Sequence, residues 1–206
     1  MSNSAHALNL AVGPDADRAP VVLLHGSHGS ESDLMSLACE LAPGATRLGV
    51  RGTVDMGEGY AFFHRLPDRR VDEADMAARI PVLAECIETA CISCNLTKRP
   101  FAIGFSNGAI MAAALLLTRP GLLAGAVLFR PLSPFIHPPC RRMNGTPVLI
   151  IDCAQDTRRS PGDGSRLAEQ LSAAGALVAH HVLPVGHMVT AEDSEIAREW
   201  LRVFEL

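Results

Sequence analysis

The segment Gly104 to Gly108, with sequence Gly-Phe-Ser-Asn-Gly, constrains the fold of this chain more than any other stretch. An apolar run that ends at Phe105 precedes the serine, and an alanine- and leucine-rich segment, residues 109–117, follows it. The succession predicts a strand, a sharp turn and a helix. A serine on such a turn, with glycines two residues away on either side, is a nucleophile elbow, because the small neighbours let the backbone turn tightly and expose the hydroxyl. Ser106 is therefore the candidate nucleophile.

The remainder of the chain alternates apolar runs with helical patterns, which predicts an α/β fold with a mostly parallel, doubly wound sheet flanked by helices. Strands are expected at residues 21–24, 47–50, 101–105, 122–129, 146–152 and 176–183. Helices are expected at residues 34–41, 72–96, 109–117, 165–174 and 192–204. Ligands of such sheets bind beyond the carboxyl ends of the strands, so functional residues are expected in the segments that follow strands.

The length and composition are those of one domain. With 206 residues, 48% of them hydrophobic, the chain can bury one substantial core, so we expect a single domain over residues 1–206. Residues 1–19 are polar and form a poorly defined N-terminal segment, in which residues 7–12 are compatible with a short edge strand. Residues 52–72 show no sustained period and are expected to form a long surface loop that borders the site.

A histidine and an acid complete the candidate site. His187 follows a glycine between the last predicted strand and the closing helix, which makes it the candidate base. The acid that orients the base is expected after the preceding strand, where Asp156 is favoured. Asp152 would still lie on the strand, and a turn explains Asp163. The order serine, acid, histidine is that of the α/β-hydrolases and differs from the chymotrypsin and subtilisin orders.

An oxyanion hole needs two backbone N–H groups, one of them from the residue after the nucleophile. Asn107 occupies that position, and the loop after the first core strand offers the N–H of Ser27 as the second donor. His25, which begins this loop, is interpreted as a hydrogen-bonding residue that stabilises it, with a catalytic role as the alternative. The role of His28 in the same loop stays open.

The charge and aromatic content argue against nucleic acid as a partner. The formal net charge is −4, and aromatic residues make up 4% of the chain. The N-terminus carries no signal-peptide pattern and the longest apolar segment is too short to cross a bilayer, so a cytoplasmic protein without membrane insertion is expected. The six cysteines are expected to be reduced thiols, including the pair Cys91 and Cys94, which is assigned to a helix rather than to a redox or zinc site.

With these motifs, the sequence resembles the small carboxylesterase/phospholipase-type α/β-hydrolases, a branch related to acyl-protein thioesterases. Within the branch it looks most like bacterial cytosolic members that are encoded with quinone or metal stress responses. It departs from the family at His28, where many members have glycine, and at residues 153–157, which replace a Gly-x-x-Asp pattern. The matching positions are Leu23-Leu24-His25-Gly26, Asp33-Leu34, Val50-Arg51-Gly52, Phe62-Phe63, Gly104 to Ala109, Gly125 to Leu128, Pro131, Asp156 and Gly186-His187.

The resemblance implies an α/β-hydrolase fold and a carboxylesterase-type serine hydrolase that acts on a small-molecule ester with no metal or organic cofactor. Alternatives are a thioesterase or lysophospholipase activity, and a non-catalytic ligand-binding protein on the same scaffold. The oligomeric state is left open between monomer and homodimer. Many hydrolases of this fold carry a helical lid after the strand that ends here near Phe129, but residues 131–145 are too few for a lid domain.

An open, shallow pocket is therefore expected, which favours esters of small to medium acyl chain. Its expected lining is Phe62, Phe63, Phe135 and Met188. Arg51 and Arg130 each end a core strand, where a guanidinium can bind a carboxylate or phosphate of the substrate. The alternative for both is an ion pair that braces the loop of residues 52–72.

Overall fold

The computed structural model describes residues 6–15, 17–139 and 141–204. Its strands are β1 (Leu8–Ala11), β2 (Val21–Leu24), β3 (Arg47–Val50), β4 (Val54–Asp55), β5 (Tyr60–Ala61), β6 (Phe101–Phe105), β7 (Gly125–Phe129), β8 (Pro147–Cys153) and β9 (Leu177–Leu183). Its helices are α1 (Met35–Leu41), α2 (Glu73–Ser93), α3 (Asn107–Thr118), α4 (Asp163–Ala173) and α5 (Ala191–Arg202).

Seven of the strands form one sheet in the order β1-β3-β2-β6-β7-β8-β9, in which only β1 is antiparallel to its neighbour. The central strands are buried on both faces, as their continuous apolar runs predict. Helices α2, α3 and α4 contribute to the core on one face, and α1 and α5 to the core on the other. The expected doubly wound α/β architecture is confirmed. No helix among residues 6–15, 17–139 and 141–204 combines the length and the apolar character needed to cross a bilayer.

The N-terminal segment is better defined than the sequence indicated. Strand β1 pairs in antiparallel register with β3, from Leu8 opposite Val50 to Ala11 opposite Arg47, so the edge strand expected within residues 7–12 is present. Residues 1–5 of the expected segment lie outside the described residues.

The segment of residues 52–72 is not simply a surface loop. It contains the antiparallel hairpin of β4 and β5, and Phe62 and Phe63, which follow the hairpin, are each only 1% exposed. Both phenylalanines belong to the core that α2 and α3 cover. The expectation that Phe62 and Phe63 line the pocket is therefore wrong, because their rings are buried among core side chains.

Candidate active site

The nucleophile elbow has the backbone that the sequence predicts. Ser106 lies between β6 and α3 with φ 52° and ψ −108°, a conformation that costs a non-glycine residue about 1–3 kcal/mol. The flanking glycines are needed because the backbone is crowded. A Cβ on Gly104 would lie 2.7 Å from the Cα of Ala109, and a Cβ on Gly108 would overlap the carbonyl group of Leu24. Close packing of strand and helix thus holds the serine in its strained turn.

Ser106, His187 and Asp156 form one hydrogen-bonded chain. The Oγ of Ser106 lies 3.1 Å from Nε2 of His187, and Nδ1 of His187 lies 2.6 Å from Oδ2 of Asp156. The other carboxylate oxygen of Asp156 accepts a hydrogen bond from the backbone N–H of Arg158 at 2.8 Å. Because Nδ1 donates to the carboxylate in the neutral ring, Nε2 is free to accept the hydrogen bond of the serine hydroxyl.

The surroundings of His187 and Asp156 set the protonation of both side chains at neutral pH. Burial lowers the pKa of His187 below its ordinary value of 6.5, although the hydrogen bond to Asp156 acts in the opposite direction. Burial alone would raise the pKa of Asp156, but its hydrogen bonds, that from His187 first, hold the pKa of the carboxyl below 3.8. At pH 7 the imidazole is therefore neutral and the carboxylate is charged, the states that a general base and its orienting group require.

The two acids that competed with Asp156 lie away from His187. Asp152 lies on β8 with Oδ2 3.8 Å from Nε2 of His180, on β9. Asp163 begins α4 and accepts a hydrogen bond from the backbone N–H of Ser160 at 2.9 Å, which is a turn contact. Of the three acids, Asp156 is the one hydrogen-bonded to His187.

The loops around the expected oxyanion hole are fixed by side chains. His25 accepts the N–H of Gly52 at Nε2 (2.9 Å), and its Nδ1 lies 2.6 Å from the carbonyl oxygen of Gly26, as expected of a loop-stabilising residue. Burial lowers the pKa of His25, which favours the neutral ring that this pair of hydrogen bonds needs. Ser27 is exposed at the turn that follows. His28 has φ 64° and its Nδ1 lies 3.1 Å from the carbonyl oxygen of Glu58.

The backbone N–H and the side-chain amide of Asn107 have different environments at the elbow. As the first residue of α3, its N–H has no acceptor within the helix and is available to a ligand. Its side chain points to the segment after the hairpin, where Oδ1 accepts from Phe62 N–H at 2.7 Å and Nδ2 donates to the carbonyl oxygen of Phe63 at 3.4 Å. The amide thereby ties the segment of residues 52–72 to the elbow helix.

Arg130 does not line a pocket, contrary to expectation. Its side chain is fully buried and binds Asp193 of α5 through two hydrogen bonds of 2.6 Å. The same guanidinium donates to the carbonyl oxygens of Gly186 (3.3 Å) and Met188 (3.0 Å), on either side of His187. The substrate-binding interpretation is wrong because these partners occupy the guanidinium. The loop that Arg130 braces is that of His187 and not the segment of residues 52–72.

The contacts of Arg51 agree with the alternative in which it braces the loop of residues 52–72. Its guanidinium lies over the ring of Tyr60 in β5, with Cζ 4.3 Å from the ring centroid. Its Nε lies 3.9 Å from a carboxylate oxygen of Glu31. Of the other expected pocket residues, Met188 is 71% exposed beside the base and Phe135 is 9% exposed.

Arg159 is the site residue that the sequence analysis missed. Its Nη2 donates to the Oγ of Ser106 at 3.0 Å, and Nε and Nη2 both donate to the carbonyl oxygen of Arg130, at 2.9 and 2.6 Å. The only available signal was its position three residues after Asp156, in the same loop.

A cavity of about 640 Å³ opens beside Arg159. Its lining combines arginines with a few apolar and acidic side chains: Arg65, Asp68, Arg69, Arg70, Val71, Glu73, Leu132, Ser133, Pro134, Phe135, Ile136, Thr157, Arg158, Arg159, Ser160, Asp163 and Arg166. A second cavity, of about 590 Å³, lies among Asp15, Leu41, Lys98 and Arg202 and includes no residue of the candidate site. Arg159, which lines the first cavity, also contacts the Oγ of Ser106.

The chain is similar to proteins of known structure and to a curated relative. It is 33% identical to a carboxylesterase of Bacillus cereus, with a TM-score of 0.93 over 98% of this chain and 96% of that one. It is 30% identical to a carboxylesterase of Mesorhizobium loti, with a TM-score of 0.90 over 98% and 97% of the two chains. Over 183 residues it is 35% identical to MhqD of Bacillus subtilis (strain 168), covering 88% of this chain and 92% of that protein.

A protein-family match covers nearly all of the described residues. Residues 9–204 match the phospholipase/carboxylesterase family, a range that includes Ser106, Asp156 and His187. The architecture is that of the α/β-hydrolases, as the sequence implied. The chain belongs to the phospholipase/carboxylesterase family.

Proposed function

We propose that this protein hydrolyses carboxylic esters of small to medium acyl chain through Ser106, His187 and Asp156, by way of an acyl-enzyme. The observation that carries the proposal is the continuous hydrogen-bonded chain from Asp156 through His187 to Ser106 on a strained elbow. Membership of the phospholipase/carboxylesterase family supports the same reaction class.

In the first step, Nε2 of His187 takes the proton of Ser106 while Oγ attacks the ester carbonyl carbon. The N–H groups of Asn107 and Ser27 donate to the oxyanion that forms, and donors of this kind contribute on the order of 10²–10³-fold to a rate. The carboxylate of Asp156 stabilises the imidazolium. That cation then protonates the departing alkoxide, which leaves Ser106 acylated.

In the second step, His187 removes a proton from water as the water attacks the acyl-enzyme. The imidazolium then returns that proton to Oγ, which releases the carboxylic acid and restores the free serine and the neutral base. The brace of Arg130 and Asp193 keeps the base in place through both steps, because it binds the carbonyl groups on either side of His187. Short esters should react faster than long ones because the segment of residues 131–145 is too short to form an apolar lid.

Labelling with a fluorophosphonate tests the nucleophile, and turnover of p-nitrophenyl acetate, butyrate and octanoate tests the acyl range. We expect one adduct by intact mass on the wild-type protein, none on Ser106→Ala, and one on Ser172→Ala, an exposed serine of α4 that serves as the control. Acetate and butyrate should be turned over faster than octanoate. A folded wild-type protein that forms no adduct and cleaves no ester would refute the proposal and favour a ligand-binding role.

A further inference from the structure

We propose that the cavity beside Ser106 binds a carboxylate of the substrate, so that the preferred esters carry a free carboxylate besides the bond that is cleaved. The inference rests on the proposed function and deepens it by naming a substrate class. Its basis is a group of six arginines that line the cavity, here called the arginine cleft: Arg65, Arg69, Arg70, Arg158, Arg159 and Arg166.

Arg65 is the residue best placed to hold an anion. Its guanidinium makes one hydrogen bond in the described part of the chain, from Nη1 to the carbonyl oxygen of Arg69 at 2.6 Å, and it lies 5.9 Å from the ring centroid of Phe63. Within residues 6–15, 17–139 and 141–204 it forms no salt bridge. Since a guanidinium carries five N–H donors in a flat fork, Arg65 keeps enough of them for a two-point contact with a carboxylate.

Arg159 lines the same cleft and also contacts the proposed nucleophile. All its hydrogen bonds go to neutral oxygens, namely the carbonyls of Arg130 and Arg158 and the hydroxyl of Ser106. It too forms no salt bridge to any described carboxylate. The carboxylates of Asp156, Asp163 and Asp152 act on its charge without a direct ion pair, and burial still lowers the pKa of Arg159, so an anion in the cleft would stabilise the cation further.

The guanidinium groups of Arg65 and Arg159 also repel each other. Burial lowers the pKa of Arg65 to about 10, and the charge of Arg159 is the next largest cause. Like charges that face one cavity repel, and a carboxylate bound between them removes that repulsion. The cleft is thus arranged in advance for an anion, at a position that Arg159 connects to the Oγ of Ser106 by a hydrogen bond of 3.0 Å.

Three acids line the same cavity, but each is engaged. Asp68 pairs with Arg70 at 2.6 Å, Glu73 accepts from the backbone N–H of Ile136 at 3.0 Å, and Asp163 accepts from that of Ser160. Six arginines against three carboxylates leave the cleft positive in a chain whose net charge is −4. The presence of three acids disfavours a dianion, which is why we assign a carboxylate rather than a phosphate. The volume of about 640 Å³ suits a small molecule.

Matched ester pairs test the inference. For the acyl side, kcat/KM is compared for mono-p-nitrophenyl adipate and its neutral methyl ester. For the alcohol side, 4-acetoxybenzoate is compared with methyl 4-acetoxybenzoate. We expect a preference of about tenfold or more for the charged member of at least one pair, the size of a charge-assisted hydrogen bond. The pair that shows it tells which side of the ester carries the carboxylate.

Variants locate the preference. Arg65→Gln should reduce the charged-to-neutral ratio of kcat/KM toward one, mainly through KM, while Arg65→Lys should retain part of it. Arg159→Gln should reduce it as well. Arg119→Gln removes a positive charge from an exposed ion pair with Glu88 at the far end of α3 and should keep the full ratio. Free adipate should inhibit hydrolysis of a neutral ester more strongly than inorganic phosphate does, and less strongly in Arg65→Gln.

Several outcomes would overturn the inference. Neutral esters cleaved as fast as both charged ones would do so while leaving the proposed hydrolase function intact. An equal ratio in a folded Arg65→Gln and in the wild type would mean that another part of the protein selects the anion. Stronger inhibition by inorganic phosphate than by adipate would contradict the assignment to a carboxylate. If no ester of any charge is cleaved and no fluorophosphonate adduct forms, both proposals fail together.

Discussion

Arg130 and Asp193 form a fully buried ion pair, with two hydrogen bonds of 2.6 Å, and the same guanidinium binds the backbone on both sides of His187. The pair therefore does more than join β7 to α5. It fixes the position of His187, the proposed base, whose own loop contains no regular structure.

Removing one partner of this pair should destabilise the fold strongly. Arg130→Gln and Asp193→Asn each leave a buried charge without its counterion, and such changes cost about 3–5 kcal/mol. Urea denaturation monitored by circular dichroism measures the loss. Arg119→Gln, which breaks an exposed pair, should cost at most about 1 kcal/mol. Equal losses in the buried and the exposed variants would show that the buried pair is not an important part of the stability.

The pH dependence of hydrolysis should follow the lowered pKa of His187. The base works only when neutral, so kcat/KM for a neutral ester should fall on the acid side with a midpoint below pH 6.5. Asp156→Asn removes a contribution that raises this pKa, so the midpoint should move to still lower pH, and the rate should fall by on the order of 10⁴-fold.

The exposed His181 on β9 provides the control for that titration, since His181→Gln should leave the profile unchanged. A wild-type midpoint at or above pH 7 would mean that burial does not dominate the pKa of the base. The profile is measured with p-nitrophenyl acetate from about pH 4.5 to about pH 8, a range that brackets the ordinary pKa of an imidazole.

Gly108→Ala should damage both stability and activity. The added methyl group would overlap the carbonyl group of Leu24, a backbone atom that cannot turn away as a side chain would. Overpacking of this kind costs about 1–3 kcal/mol and should shift Ser106 and the N–H of Asn107 with the start of α3. A Cβ added at Gly186 would meet no atom within 4 Å, so Gly186→Ala should change the free energy of unfolding little. Matching losses in the two variants would argue against crowding as the cause.

Asn107→Ala should loosen the segment that follows the β4–β5 hairpin. The buried N–H of Phe62 loses its acceptor, which costs about 1–3 kcal/mol. Hydrogen exchange read by mass spectrometry should show faster exchange in peptides that cover residues 56–66, with little change in β8. Unchanged exchange there would mean that the packing of Phe62 and Phe63 holds the segment without the amide.

Cys153 should be unreactive despite lying beside the acid. Its thiol contacts a carboxylate oxygen of Asp156 at 3.5 Å, and burial, followed by the neighbouring negative charges, raises its pKa to about 12. At pH 8 almost none of it is thiolate, so iodoacetamide should modify the exposed Cys39 and spare Cys153 in the folded protein. Peptide mass analysis after a short exposure distinguishes the two. Rapid alkylation of Cys153 would show that the loop opens readily.

The sequence was sufficient for the features that depend on local pattern. The buried strands appear as continuous apolar runs, the elbow is a short motif between a strand and a helix, and Ser106 and His187 each follow a predicted strand. Because parallel strands end at one edge of the sheet, residues distant in sequence were expected at the same place.

The features that could not be predicted depend on contacts between distant residues. Arg130 and Asp193 are separated by 63 positions, and no pattern near either one indicates the other. Arg159 reaches Ser106 across 53 positions. Phe62 and Phe63 lie in a stretch without periodicity, where two adjacent aromatic residues fit a pocket wall and a core equally well. Only the packing of α2 and α3 decides whether the two rings line a pocket or join the core.

The two tasks of Asn107 limit how this protein can be redesigned. In the proposed mechanism its backbone N–H donates to the oxyanion, while its side chain holds the segment of residues 52–72. A replacement for that segment, taken from a relative or designed anew, must present a backbone N–H and a carbonyl oxygen to the same amide. A loop exchange that ignores this requirement would alter the elbow itself, so substrate range and catalytic geometry cannot be engineered independently at this edge of the site.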